Sequence, residues 1–120
     1  MNDTISLSLF LVHQSSLPVR RQYNIHTSHI TALFGIYFYC KYINDTFTIH
    51  AIIPIIRSFS HNRLIKYVDT LVNSKLIEKV SNIPYNRYMI TQAGEEAIKS
   101  IIDNHSVLVF EFCSKYNIVL

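Results

Sequence analysis

The 120-residue sequence predicts one mainly α-helical domain that carries a single small β-hairpin. Hydrophobic residues make up 49% of the chain and charged residues 16%, which is enough for a packed core and argues against disorder. Apolar residues recur at helical spacing in several segments, and the chain has only two Gly residues. One stretch departs from this pattern. It reads LIEKVSNIPYNRYMI, at Leu76–Ile90, where apolar and charged residues alternate around a Pro.

The first candidate element is the apolar run Ile5–Val12, which is compatible with a short helix or a strand. Leu17-Pro18 ends it, and the run is too short to span a bilayer. It contains no basic residue and follows Asp3, so it lacks the charge pattern of a signal peptide. We therefore predict no membrane association and assign residues 1–26 to an N-terminal extension that is available for dimerisation.

The stretch HITALFGIYFYCKYI predicts the first long helix. Thr27 or Ser28 supplies its N-cap, and the helix ends near Ile43, before Asn44-Asp45. This helix is apolar nearly all round. Such a helix lies either at the centre of a core or in an interface with a second subunit.

A second, shorter helix is predicted near Ile49–Arg57, with Thr48 as its N-cap. Pro54 lies inside it and cannot donate a backbone hydrogen bond, so we expect the helix to kink or restart there. The sequence is also compatible with an extended start over Phe47–His50, before any helix begins.

Ser60 is the predicted N-cap of a third helix over His61–Ser74, which follows after a very tight turn. The helix is amphipathic, with one apolar and one polar face. Its apolar face comprises Leu64, Ile65, Val68, Leu71 and Val72. Its polar face comprises Asn62, Arg63, Lys66, Asp69, Thr70 and Asn73.

The alternating stretch that follows predicts two strands, Leu76–Asn82 and Arg87–Thr91, joined by a turn over residues 83–86. Thr91 then caps a long C-terminal helix with acidic residues in its first turn. The polar run Asp103–Ser106 is compatible with a break that splits this last helix in two.

Positive charge is concentrated around the third helix and the hairpin. The formal net charge of the chain is +3 with His neutral. Between Arg57 and Arg87 the balance is +4, whereas between Glu95 and Glu111 it is −3. A local basic surface favours an anionic partner, of which nucleic acid is the commonest. A solvated surface without a partner is the alternative that charge alone leaves open.

Two blocks of this region resemble the winged helix-turn-helix of MarR- and PadR-type transcription regulators. They are LIKYVDTLVNSKLIEKV at Leu64–Val80 and RYMITQAGEEAI at Arg87–Ile98, and the resemblance covers Thr48–Ser100. In the family a recognition helix ends in Leu and is followed by Leu-Ile-Glu-Arg, a wing, Leu-Thr, two polar residues and Gly. Lys75 stands where the family usually has a helix-ending Gly. We expect Asn73 or Ser74 to take that strain, or the helix to end differently.

The resemblance implies a three-helix core with a wing and a long C-terminal helix, with residues 27–100 as the DNA-binding domain. It implies sequence-specific binding of double-stranded DNA and transcription regulation, with the recognition helix 61–74 in the major groove and the wing 77–91 on the adjacent backbone. The expected contacts are Ser60, His61, Asn62, Arg63, Lys66, Thr70, Asn86 and Arg87. The alternative is a winged helix used for protein–protein interaction without DNA binding, since fold does not fix function.

The last helix carries apolar residues outside its main stripe, such as Val107 and Phe110, and the tail Tyr116–Leu120 is apolar as well. These residues predict a subunit contact. MarR-type dimers interlock their terminal helices, so the resemblance implies a homodimer in which residues 1–26 and 101–120 meet. Members of that family often bind small phenolic effectors between subunits, and the residues here neither show nor exclude such a pocket.

The sequence contains no recognisable motif for metal binding, cofactor binding or catalysis. The six His residues form no H-x3-H or HExxH pair, and the chain contains no GxSxG motif and no glycine-rich phosphate loop. We therefore predict no metal site, no cofactor and no enzymatic activity. Cys40 and Cys113 stand alone, without a CxxC motif, which predicts a reducing, cytoplasmic compartment.

Overall fold

The structure, a computed structural model, describes residues 10–119. Residues 10–15 are helical (α1). The elements that follow are α2 (Leu17–Tyr23), α3 (Thr27–Tyr42), α4 (Ile49–Ile52), α5 (His61–Asn73), β1 (Ile77–Ser81), β2 (Arg87–Ile90) and α6 (Gln92–Tyr116). This order confirms the predicted mainly α fold with one hairpin. Most of the ambiguous run Ile5–Val12 lies outside the described residues.

The core forms around α3, which packs against α5, α6 and β2. The nearly all-apolar composition of α3 is explained by this central position, because it buries Leu33 and Ile36 completely. Its outward side is not covered, however, and Phe38 and Tyr42 are exposed. The largest fully buried side chains of the core are Phe47, Leu33, Ile36, Ile52, Leu64, Leu71, Leu76, Ile77, Ile98 and Ile101.

Three predicted N-caps are present. The hydroxyls of Thr48, Ser60 and Thr91 accept hydrogen bonds from backbone N–H groups at 3.3, 3.3 and 3.1 Å, at the starts of α4, α5 and α6. The predicted cap of α3 is wrong, because the cap residue is His26 rather than Thr27 or Ser28. The backbone N–H of His26 donates to Nδ1 of His29 at 3.0 Å, the reciprocal contact of a capping box.

The second helix is shorter than predicted. It ends at Ile52 and not near Arg57, because Pro54 supplies no backbone N–H to continue the ladder. The alternative prediction of an extended start over Phe47–His50 holds for Phe47 and Thr48 only, because Ile49 and His50 already belong to α4. Phe47 pairs with Tyr88 of β2 through two backbone hydrogen bonds of 2.8 and 2.9 Å, and this bridge fixes the hairpin beside α4.

The hairpin is antiparallel and pairs Ile77 with Ile90 at its base. Its strands are one or two residues shorter at their ends than predicted. The long helix α6 is continuous from Gln92 to Tyr116, so the predicted break over residues 103–106 does not occur. None of the helices in residues 10–119 has the length and hydrophobicity of a membrane span.

Left-handed backbone ends three helices without using glycine. Asn24, Lys75 and Asn117 have φ of 53°, 65° and 57° after α2, α5 and α6. At the end of α5 the N–H of Lys75 bonds the carbonyl of Val72, and the N–H of Leu76 bonds that of Leu71, both at 3.0 Å. These two bonds form a Schellman motif with Lys75 as its left-handed residue. The expectation that Asn73 or Ser74 takes the strain is therefore wrong.

Candidate nucleic-acid interface

The outward face of α5 is the main candidate site. One side of the helix packs into the core through Leu64, Val68 and Leu71, which are all fully buried. The opposite side consequently faces solvent, and four of the predicted contact residues of this helix are exposed: His61, Asn62, Arg63 and Lys66. Asn62 and Lys66 lie one helical turn apart. Asp69 is exposed on the same helix. The predicted apolar face is narrower than expected, because Ile65 is 37% exposed at its border.

Arg63 lies at one edge of this face and is held in place. Its Nη2 donates to the hydroxyl of Tyr67 at 2.8 Å, and its guanidinium lies 5.6 and 5.7 Å from the ring centroids of Phe59 and Tyr67. A hydrogen bond from Ser28 and the contacts with Arg63 hold the pKa of Tyr67 below its usual value. The side chain of Arg63 is therefore oriented before any ligand arrives, and it retains further N–H donors.

The hydroxyls of Ser60 and Thr70, both predicted DNA contacts, already form hydrogen bonds with the backbone of α5. Ser60 accepts from the N–H of Arg63, which is its capping role. The hydroxyl of Thr70 donates to the carbonyl of Lys66 at 3.1 Å, and its side chain is half-buried. Ser60 is nevertheless exposed.

The turn between β1 and β2 spans residues 82–86, one residue longer than the predicted turn over residues 83–86. Two apolar side chains of this turn are largely exposed, Ile83 at 80% and Tyr85 at 71%. Arg87 begins β2, as predicted, and its Nη1 donates to the hydroxyl of Thr46 at 3.2 Å. Asn86 is exposed beside the tip.

Sequence reasoning missed three residues of this surface. Phe59 and Tyr67 orient Arg63 from four residues on either side, a helical spacing that is visible in the sequence. Arg57 precedes α5 in the tight turn, is exposed, and donates through Nε to the carbonyl of Pro54 at 3.0 Å. It adds an exposed cation before the N-terminus of α5 to the exposed Arg63 and Lys66 within the helix.

No group of three or more His, Cys, Asp or Glu side chains in residues 10–119 is arranged to hold a metal ion. Both cysteines are half-buried free thiols, and burial raises the pKa of Cys40, which lowers its reactivity.

No protein-family model matches the sequence, and no curated protein matches it either. Solved structures do match. The transcriptional regulator Tm0710 from Thermotoga maritima aligns with a TM-score of 0.69 and 16% identity, over 96% of this chain and 79% of that one. The oxidised form of MarR from E. coli aligns with a TM-score of 0.66 and 15% identity, over 96% and 81%. This chain has the MarR fold.

A third structure agrees with this assignment. RV1404 from Mycobacterium tuberculosis aligns with a TM-score of 0.72 and 12% identity, over 93% of this chain and 73% of that one. At such identities the likeness concerns the fold. In this fold, α3 to α5 form the three-helix core and the hairpin is the wing.

Proposed function

We propose that the protein binds double-stranded DNA sequence-specifically and regulates transcription, with α5 in the major groove and the wing on the adjacent backbone. The observation that carries this proposal is the exposed face of α5, where Asn62 and Lys66 project beside the oriented guanidinium of Arg63. The helix has 13 residues and so is about 20 Å long, and a major groove about 12 Å wide admits it.

The geometry suggests separate roles for the residues of this face. Asn62 and Lys66 lie near the N-terminal end of α5, where helix-turn-helix proteins contact base edges. Arg63 is bound to Tyr67 at the edge of the face, so its remaining donors suit a phosphate rather than a base. Ser60, His61 and Arg57 lie at the start of the helix and suit the phosphate backbone, while Thr70 is farther along the groove.

The wing is proposed to make a smaller contribution to DNA binding. Arg87 is exposed but partly engaged with Thr46, and Asn86 is exposed without a charge. Their contact with DNA would therefore be a supporting one on the sugar-phosphate backbone or the edge of a minor groove.

A homodimer is part of the proposal, with residues 27–100 as the DNA-binding domain and the terminal segments 1–26 and 101–120 as the subunit contact. Apolar side chains are exposed on α1 and on the C-terminal half of α6, where a monomer would leave them in water. They are Phe10, Val107, Phe110 and Tyr116, each more than half exposed. A two-fold arrangement would present two copies of α5 to a palindromic site.

The apolar wing tip supports a second candidate function, protein–protein interaction through the winged helix without DNA binding. Ile83 and Tyr85 would supply apolar contact area, and the wing lacks a basic cluster. We rank this candidate second because it leaves the exposed cations of α5 without a role.

Selection of bound sequences from a pool of random duplexes tests the proposed function. We expect an enriched motif with two-fold symmetry. We expect Lys66→Ala and Asn62→Ala each to weaken binding to that motif by about 1–3 kcal/mol without changing the fold. Lys99→Ala, which removes an exposed cation of α6, is the matched control and should bind as the natural protein does. Recovery of no motif, or equal binding by all three variants, would favour the protein–protein candidate.

A further inference from the structure

Two histidines meet at the junction of α4 and α5. His50 belongs to α4 and His61 is the first residue of α5, and the turn between them brings their ring centroids to 5.0 Å, with the ring planes tilted by 37°. Both side chains are exposed, so both rings have solvent beside them and can turn. Eleven positions separate them in the chain, which is why no metal-binding spacing appears in the sequence.

This separation suits two imidazoles that share one metal ion. Zn–N bonds of about 2.0–2.1 Å at a tetrahedral angle place the centroids of two ligating rings about 5 Å apart. The other histidine pair of the chain, His26 and His29, is different. Its centroids are 5.7 Å apart, His29 is buried, and Nδ1 of His29 is already an acceptor for the backbone of His26.

There is also room for the remaining ligands of an ion. His50 borders a hollow of about 240 Å³ between α4 and the wing, which is lined by Thr48, Ile49, His50, Tyr85 and Asn86. His61 does not line this hollow, but both histidines are exposed, so solvent water can occupy the coordination positions that two protein ligands leave open. Imidazole nitrogens suit Zn²⁺, Ni²⁺ and Cu²⁺, and do not suit Mg²⁺ or Ca²⁺.

We propose that His50 and His61 form a two-histidine site for a transition-metal ion of the Zn²⁺ class, which joins α4 to α5. The positive end of the α5 dipole opposes a cation at this place, so the site is one of moderate affinity that exchanges its metal. The ion would lie beside Asn62, at the start of the candidate DNA-binding face. The link to DNA rests on the proposed function, whereas metal binding itself does not.

Calorimetric titration of the chelator-treated full chain with Zn²⁺, without DNA, tests the site. We expect one ion per chain, at least tenfold weaker binding in His50→Gln and in His61→Gln, and no binding at this site in the double variant. We also expect Zn²⁺ to raise the Tm of the natural protein and not that of the double variant. His13→Gln replaces another exposed histidine and should bind Zn²⁺ as the natural protein does. Equal affinity in the double variant, or no binding by the natural protein, would overturn the site.

A second titration, of duplex DNA with and without Zn²⁺, separates this inference from the proposed function. If the ion raises DNA affinity in the natural protein and not in the double variant, the site contributes to DNA binding. If the site binds Zn²⁺ and the protein binds no DNA under either condition, the proposed function fails while the metal site stands. If DNA binds equally with and without the ion, the link between the two is overturned.

Discussion

At the scale of single residues, Lys75 shows how closely the chain follows the local rules of its fold. The C-terminal Schellman motif of α5 needs a left-handed residue, and Lys75 takes that conformation at φ 65° so that Leu76 is fully buried. A lysine in this conformation is strained because its Cβ approaches the backbone, whereas glycine is not. Asn24 and Asn117 take the same left-handed conformation after α2 and α6, and asparagine tolerates this conformation better than lysine does.

We therefore expect Lys75→Gly to stabilise the protein by about 1 kcal/mol. Chemical denaturation of both proteins measures the difference in the free energy of unfolding. Asn24→Gly is the control and should gain less, because Asn already tolerates the left-handed region. A loss of stability in Lys75→Gly would show that the lysine side chain contributes more than its strain costs.

His29 gives a second prediction at this scale, concerning pH. Burial, followed by the nearby charge of His26, lowers the pKa of His29, and its Nδ1 accepts the backbone N–H of His26 only when it is unprotonated. As the pH falls below about 6.5, the imidazole of His29 is therefore protonated in the unfolded chain before it is protonated in the folded protein. The contribution to stability is present above that pH and is lost on acidification.

The matched variant for this pH effect is His29→Gln, which keeps an acceptor at the third position of the helix but does not titrate. We expect the free energy of unfolding to fall less between pH 7.5 and 5 in this variant than in the natural protein. Urea denaturation across that interval provides the comparison. Parallel curves for the two proteins would show that His29 does not carry this effect.

At the scale of elements, Gly94 determines how α6 starts beside the hairpin. A Cβ at position 94 would collide with the backbone carbonyl oxygen of Leu76 and would lie 2.7 Å from Cγ1 of Ile90. The hydroxyl of Thr91 also donates to the carbonyl of Lys75 at 2.8 Å, which fixes the same junction. The glycine is therefore required here for close approach and not for a turn.

Gly94→Ala should destabilise the protein by at least about 1–3 kcal/mol, because backbone of the hairpin must move to admit the methyl group. Gly35→Ala is the comparison. There the obstacle is the Ile56 side chain, at 2.5 Å from the added Cβ, and a side chain rearranges more easily than backbone. Thermal denaturation should rank Gly94→Ala below Gly35→Ala in Tm, and the opposite order would contradict this view of the junction.

The elements themselves were largely predictable because their signals are local. Ser60, Thr91 and the alternation in Leu76–Ile90 predicted α5, the start of α6 and the hairpin within one or two residues. Contacts between distant residues were not predictable. Arg87 donates a hydrogen bond to Thr46, 41 positions away, and no pattern in the sequence indicated this contact. His50 and His61 likewise meet only through the turn between α4 and α5.

At the scale of the whole molecule, the chain is elongated, with extents of 55 × 27 × 23 Å. The C-terminal half of α6 carries Phe110 at 74% exposure and Val107 at 54%. Exposed aromatic and aliphatic side chains that follow one another along a helix are typical of a subunit interface. They explain the apolar excess of the last helix, which the core alone does not absorb.

Phe110→Glu should therefore convert a dimer of two 14.0 kDa chains into a monomer, because the charge would be buried in the interface. Light scattering during size-exclusion chromatography gives the mass. Tyr42→Glu changes a comparably exposed aromatic residue on α3 and should stay dimeric. A monomeric natural protein, or dissociation of both variants alike, would contradict the terminal-helix interface.

The salt dependence of duplex DNA affinity tests the central claim most directly, namely that the exposed face of α5 contacts DNA. We expect the affinity of the natural protein to fall steeply and linearly in a log–log plot, since each neutralised phosphate releases counterions. Lys66→Ala should reduce the magnitude of that slope by about one, and Lys99→Ala should leave it unchanged. A duplex affinity that does not respond to salt, or a slope that Lys66→Ala leaves intact, would contradict the account.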